Sequence, residues 1–160
     1  DGVGWTLHAN RDGLSFDDRD LDRGGARVTV EALNKPIASQ LEWEAARRIL
    51  GPHRLLGVSC YDSLDRAATA AAAGADYIAV GSVFASATKP EATRASLAVL
   101  AEAKRRFRLP VAAIGGITLH NVGQVLAAGA DMVAVITDLF DTMDIRGRAA
   151  AYGRLFEESQ

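Results

Sequence analysis

Four short clusters in this chain gather the residue types that hold phosphoryl oxygens. Ser86, Thr88 and Lys89 place two hydroxyls and an ammonium on one short segment. Hydroxyls suit several phosphate oxygens at once, and a mobile point charge can follow a leaving group as its charge grows. Gly115 and Gly116 form a pair without side chains, with Thr118 and Asn121 just beyond it. There the backbone can approach an anion closely, and the N–H groups of a helix start can complete a cradle. Ile136 and Thr137 occupy the corresponding place after a later apolar run, and Ser59 ends an earlier one. Each cluster also has a plainer reading: an exposed polar loop for residues 86–89, a strand-to-helix turn for the glycines, an N-cap for Thr137. What favours phosphate is shared position, because each cluster falls where a strand should stop. In parallel α/β sheets that is the end at which ligands bind.

Other reactive residue types carry less. Cys60 adjoins Ser59, but no local His or basic partner is visible that would lower its thiol pKa, so it reads as a small structural residue. His8, His53 and His120 are dispersed and show no metal-ligand spacing. The mixed-sign run Asp17, Asp18, Arg19, Asp20, Asp22 and Arg23 reads as a solvated loop rather than a metal site.

The elements that would position these clusters alternate regularly. Leu41, Ala45, Arg48 and Ile49 fall at helical spacing, and Gly51-Pro52 supplies a stop after Leu50. Leu55 to Ser59 reads as a parallel strand buried on both faces. Asp62 or Ser63 then caps an Ala-rich helix to Ala73. A strand is expected at Tyr77–Val80 and a helix at about Ser96–Phe107, with Leu97, Leu100, Ala101 and Lys104 on one face. A strand at Val111–Ile114, a helix at about His120–Ala128, a strand at Met132–Ile136 and a helix at about Ile145–Glu157 complete the series. A-A-G-A-D-Y-I-A-V-G-S-V-F at 72–84 matches A-A-G-A-D-M-V-A-V-I-T-D-L-F at 127–140, at a spacing of 55 residues. This is a doubled β-α-β unit. Four such strands, adjacent and parallel, make half of a (β/α)8 barrel. Residues 1–40 read as an irregular amino-terminal segment with one short strand at Ala26–Val30, and residues 41–160 as the (β/α) half.

The chain has 160 residues, 49% of them hydrophobic and 24% charged, with a formal net charge of −2. These values describe one globular domain and provide no basic field for nucleic acid or an anionic membrane, so any anion site must be local and its ligand small. A single cysteine excludes an intramolecular disulfide and fits a reducing cytoplasm. No apolar stretch is long enough to span a bilayer, and no secretory signal is visible. The first residue is Asp rather than Met, which suggests a fragment or a partial gene product.

Taken together, G-V-S at 57–59, G-A-D-Y-I-A-V-G-S-V-F-A-S-A-T-K-P at 74–90, A-I-G-G-I-T at 113–118 and G-A-D-M-V-A-V-I-T at 129–137 resemble thiamine phosphate synthase. This is a TIM-barrel enzyme family, and the resemblance covers about residues 41–160, the carboxyl-terminal part of the barrel. It implies that Ser59 and Lys89 contact the diphosphate of the hydroxymethylpyrimidine substrate. Ser86 with Thr88 would contact the thiazole phosphate, and Gly116 with the backbone at Ile136 and Thr137 would complete that second site. In the family, diphosphate departs to leave a stabilised cation that the thiazole nitrogen attacks, which makes Lys89 the catalytic candidate. Ser86 stands where the family usually has Thr and keeps the hydroxyl. The family's Mg2+ is implied too, but its upstream R-x-K clamp and N-D pair have no equivalent in residues 1–40, so no metal ligand is assigned. The resemblance thus describes an incomplete barrel, expected to be inert by itself and to self-associate. The alternative is a non-catalytic, phosphate-binding or aromatase-like paralogue.

Overall fold

The structure is a computed structural model describing residues 6–10, 13–15, 40–85 and 91–158. Its strands are β1 (Thr6–Asn10), β2 (Gly13–Ser15), β3 (Leu55–Tyr61), β4 (Tyr77–Gly81), β5 (Val111–Ile114) and β6 (Met132–Ala134). Its helices are α1 (Gln40–Leu50), α2 (Leu64–Ala72), α3 (Leu97–Arg106), α4 (Val122–Ala127), α5 (Thr137–Phe140) and α6 (Ile145–Glu158). They build one sheet in the order β2-β1-β3-β4-β5-β6. The four expected strands are adjacent and mutually parallel. Two more lie in the segment expected to be irregular: β1 pairs parallel with β3, and β2 pairs antiparallel with β1. T-L-H-A-N has no alternating β-branched pattern, so its strand state comes from the open edge of β3, a tertiary effect that local propensity does not report. The strand expected at Ala26–Val30 lies outside the described residues.

One hydrophobic cluster joins alternate strand positions to the helices. Leu56, Val58 and Cys60 of β3, Ile78 and Val80 of β4, and Val111 and Ala113 of β5 are buried with Trp43, Ala46, Ala67, Ala70, Leu100, Ala103, Val122 and Val125. The intervening positions lie on the other face, and that face is more open. Leu55 is 50% exposed and Ile114 38%, while Ser59 and Tyr61 are half-buried. β3 is therefore buried on both faces over Leu56–Val58, and its second face opens at Leu55 and in part at Ser59 and Tyr61. The face of α1 also differs from expectation. Leu41 and Ile49 are exposed, and Trp43, Ala46 and Leu50 point into the core. Burying the indole removes far more apolar area from water than either aliphatic residue would.

Each copy of the G-A-D repeat makes the same set of bonds. After α2, the N–H of Ala73 donates to Thr69 O, that of Gly74 to Ala71 O, that of Ala75 to Ala70 O and that of Asp76 to Leu56 O. After α4, the N–H groups of Ala128, Gly129, Ala130 and Asp131 donate to Gln124, Leu126, Val125 and Val111. Every donor and acceptor is displaced by the same 55 positions. The aspartate then returns the bond: Leu56 N–H donates to Asp76 Oδ2 at 2.6 Å and Val111 N–H to Asp131 Oδ2 at 2.8 Å. Each aspartate also pairs with a cation from a helix, Arg47 of α1 for Asp76 and Lys104 of α3 for Asp131. These clamps fix the amino-terminal ends of β3 and β5 and leave the opposite ends to the candidate site.

Candidate functional site

At the carboxyl end of β3 the ladder shifts register between Ser59 and Tyr61. Tyr61 has a positive φ of 55°, uncommon for a residue with a side chain. Ser63 caps α2 by accepting the Arg66 N–H at 3.2 Å. The Arg66 side chain returns to the strand, where its Nε–H donates to the carbonyl of Ser59 at 2.8 Å. Its guanidinium stands 5.0 Å from the centre of the Trp43 ring and 5.5 Å from that of Tyr61. Cys60 thus has a cation nearby that local sequence reading misses. Burial nevertheless dominates and pushes the thiol up to about 12, with Arg66 pulling the other way. The thiol is buried and protonated near neutral pH, as a structural residue should be.

The glycine pair after β5 has a structural role that comes before any ligand. The chain leaving β4 crosses it: Val83 N–H donates to Ile114 O at 2.9 Å and Phe84 N–H to Gly115 O at 3.0 Å. Both glycines have positive φ, 102° and 62°. A Cβ on Gly115 would run into Ser82, and one on Gly116 into the carbonyl of Ala85. Side-chain-free backbone is therefore required for the two loops to lie together. Asn121 secures the arrangement, its Nδ2 donating to Gly116 O at 2.9 Å and its Oδ1 accepting the Thr118 N–H at 2.8 Å. It occupies the cap position of α4 without making a side-chain cap bond. Ser86, Thr88 and Lys89 lie outside the described residues; the chain enters them from Ala85, directly over Gly116.

After β6 the strand stops at Ala134, two residues earlier than expected. The Ile136 carbonyl turns to accept the N–H groups of Leu139 and Phe140 at 3.1 and 2.9 Å, which starts α5. Ile136 holds the cap position, so Thr137 is the first helical residue and not an N-cap. The next residue, Asp138, anchors this turn to α6. It accepts the Tyr152 hydroxyl at 2.7 Å and Arg148 Nη1 at 3.3 Å. Burial, followed by the bond to Asp138, pushes the Tyr152 phenol upward. Neither α5 nor this anchor is apparent from helix periodicity; the available clue is that Arg148 and Tyr152, four apart, share a helix face.

Gly116 and the Ile136–Thr137 turn therefore stand beyond the ends of neighbouring strands, and the loop leading to Ser86 lies against the first of them. Ser59 lies deeper, in register with Ala79 and, through it, Ala112. Among the described residues no group of three His, Cys, Asp or Glu could hold a metal ion, so Mg2+ finds no ligand set there. No helix among them is long and apolar enough to cross a membrane.

A family model described as thiamine monophosphate synthase matches residues 37–139. The chain belongs to the thiamine monophosphate synthase family. It is 56% identical over 114 residues to the thiamine-phosphate synthase of Aromatoleum aromaticum, covering 71% of this chain and 55% of that one. To the enzyme of Thiobacillus denitrificans it is 55% identical over 111 residues, covering 69% and 53%. The chain thus spans about half the length of the curated relatives it matches. Among solved structures, thiamine phosphate pyrophosphorylase from Pyrococcus furiosus aligns with a TM-score of 0.66 at 34% identity, over 73% of this chain and 55% of that one. A 3-hexulose-6-phosphate synthase from Salmonella typhimurium aligns with a TM-score of 0.63 at 21% identity, over 78% and 60%, a likeness of fold alone. The parallel β3–β6 unit is the (β/α) architecture of TIM barrels, present here in part.

Proposed function

We propose that this chain supplies the carboxyl-terminal half of a thiamine phosphate synthase, a transferase joining hydroxymethylpyrimidine diphosphate to thiazole phosphate with release of diphosphate. The observation that carries this reading is the seating of residues 82–85 on Gly115 and Gly116, one strand from Ile136 and Thr137. That arrangement holds Ala85, the last described residue before Ser86, over Gly116 at the strand ends where a phosphate would sit. Gly116, the backbone of Ile136 and Thr137, and the hydroxyls of Ser86 and Thr88 take the thiazole phosphate. Ser59 and Lys89 take the diphosphate.

In the reaction, the C–O bond from the pyrimidine methylene to the diphosphate breaks, and its electron pair leaves on the diphosphate. The thiazole nitrogen then forms the C–N bond to the resulting cation. Lys89 acts where negative charge grows on the departing group, so its interaction is strongest in the transition state. Mg2+ would add positive charge at that group, but the described residues offer it no ligand set.

The substrates are small phosphorylated molecules met in the cytoplasm, with no part for nucleic acid or a membrane. A second reading is a paralogue that binds phosphate at the same loops without catalysis. Titrating the 15N-labelled chain with thiazole phosphate tests the site common to both readings. Amide shifts at residues 82–85, 115–118 and 135–138 are expected, and their absence at saturating ligand overturns the assignment.

A further inference from the structure

The geometry points to Arg66 as a positioning residue for the Ser59 contact, held by two aromatic rings and acting through the Ser59 carbonyl. This rests on the reading of Ser59 as a diphosphate contact. At the register shift, β3 leaves its regular ladder with β4 between Ser59 and Tyr61, so ladder pairing alone does not fix the peptide planes there. The 2.8 Å bond from Arg66 Nε–H to Ser59 O supplies a fixed point at that place. The guanidinium is itself constrained. Its rings come from different elements, Trp43 from α1 and Tyr61 from the end of β3, and cation–π attraction is strongest for a guanidinium over Trp. Trp43 is 1% exposed and cannot move without opening the core.

The backbone of Arg66 is tied down as well, through its N–H to Ser63 Oγ. One residue of α2 therefore connects the first helix, the helix cap and the bulged strand end. Tyr61, in its left-handed conformation, completes the clamp. Replacing Arg66 by Lys keeps the charge but loses the planar fork and the Nε–H that reaches Ser59 O. Charge and position can therefore be separated by experiment.

The test uses inorganic diphosphate as probe, the purified chain and the variants Ser59→Ala, Arg66→Lys and Arg66→Met. Asp131→Asn, at the opposite end of the sheet, is the control for general loss of stability. Backbone amide spectra at residues 59–61 and diphosphate affinity are measured well below each variant's melting temperature. The expected result is that both Arg66 variants shift those amides and bind diphosphate more weakly, by up to the roughly tenfold that loss of the Ser59 hydrogen bond to the ligand would itself cause, while Asp131→Asn binds normally. Amides 59–61 unmoved in Arg66→Met overturn the inference. So does unchanged affinity in Arg66→Met where Ser59→Ala weakens binding, and so does full retention by Arg66→Lys, which would leave only a charge effect. If the unaltered chain binds no diphosphate, or Ser59→Ala changes nothing, the reading of Ser59 falls and the inference falls with it.

Discussion

Asp131 and Val111 hold each other from both sides: the Asp131 N–H donates to the Val111 carbonyl at 2.9 Å, and the Val111 N–H donates to the Asp131 carboxylate at 2.8 Å. Fifty-five residues earlier Asp76 and Leu56 do the same. Removing either carboxylate leaves a strand N–H at the edge of the core without its acceptor. Asp131→Ala and Asp76→Ala are each expected to lower stability by about 1–3 kcal/mol, measured by urea unfolding. A loss below a few tenths of a kcal/mol for both would show that the clamp is incidental.

Gly116 and Gly123 should respond in opposite directions to the same substitution. A Cβ at Gly116 meets the Ala85 carbonyl and a backbone at positive φ, whereas one at Gly123 in α4 meets nothing within 4 Å. Gly116→Ala is expected to cost more than about 1 kcal/mol and to displace the loop that enters Ser86. Gly123→Ala is expected to gain up to about 1 kcal/mol. Paired thermal melts decide it; equal effects would refute the close-approach reading of Gly116.

The repeat is legible in the sequence because both copies spell G-A-D after an apolar helix, and the same letters then make the same bonds. Ser63 is legible as a cap for a similar local reason. What escapes is what depends on partners distant along the chain. β1 exists because β3 has an edge to fill, and Trp43 rather than Leu41 chooses the buried face of α1. Arg66 lies seven residues beyond Ser59, on a helix, and only folding brings its Nε to that carbonyl. The glycine pair was legible as a strand-end turn. Its need for backbone without side chains comes from the β4 loop lying across it, which no local pattern encodes.

Cys60 should be chemically silent in the folded chain. Its thiol is 1% exposed, and burial raises its pKa from 9.0 to about 12. At pH 8 a thiol-specific reagent should therefore react only on unfolding, at a rate that follows denaturant concentration. The folded state holds this proton more tightly than the unfolded state. The thiol's contribution to stability is therefore intact below about pH 9 and is lost as pH rises toward about 12. Cys60→Ala should remove that part of the alkaline decline. Rapid stoichiometric labelling of the native chain would contradict the buried placement.

The chain by itself should form thiamine phosphate no faster than background. Among the described residues the sheet is open, with β2 and β6 at its edges. Leu55 and Ile114 on its less covered face are 50% and 38% exposed, and Ile136 beyond the end of β6 is 61% exposed. A closed (β/α)8 barrel covers such a face and takes at least about 200 residues. An uncovered apolar face and a free strand edge favour association, so a concentration-dependent sedimentation coefficient is expected alongside the missing activity. Incubating the purified chain with Mg2+ and both substrates, and following thiamine phosphate by chromatography, measures this directly. Turnover at about 1 s⁻¹ or faster, an ordinary enzymatic rate, from a species that sediments as a monomer would show that the described half-sheet suffices for the chemistry.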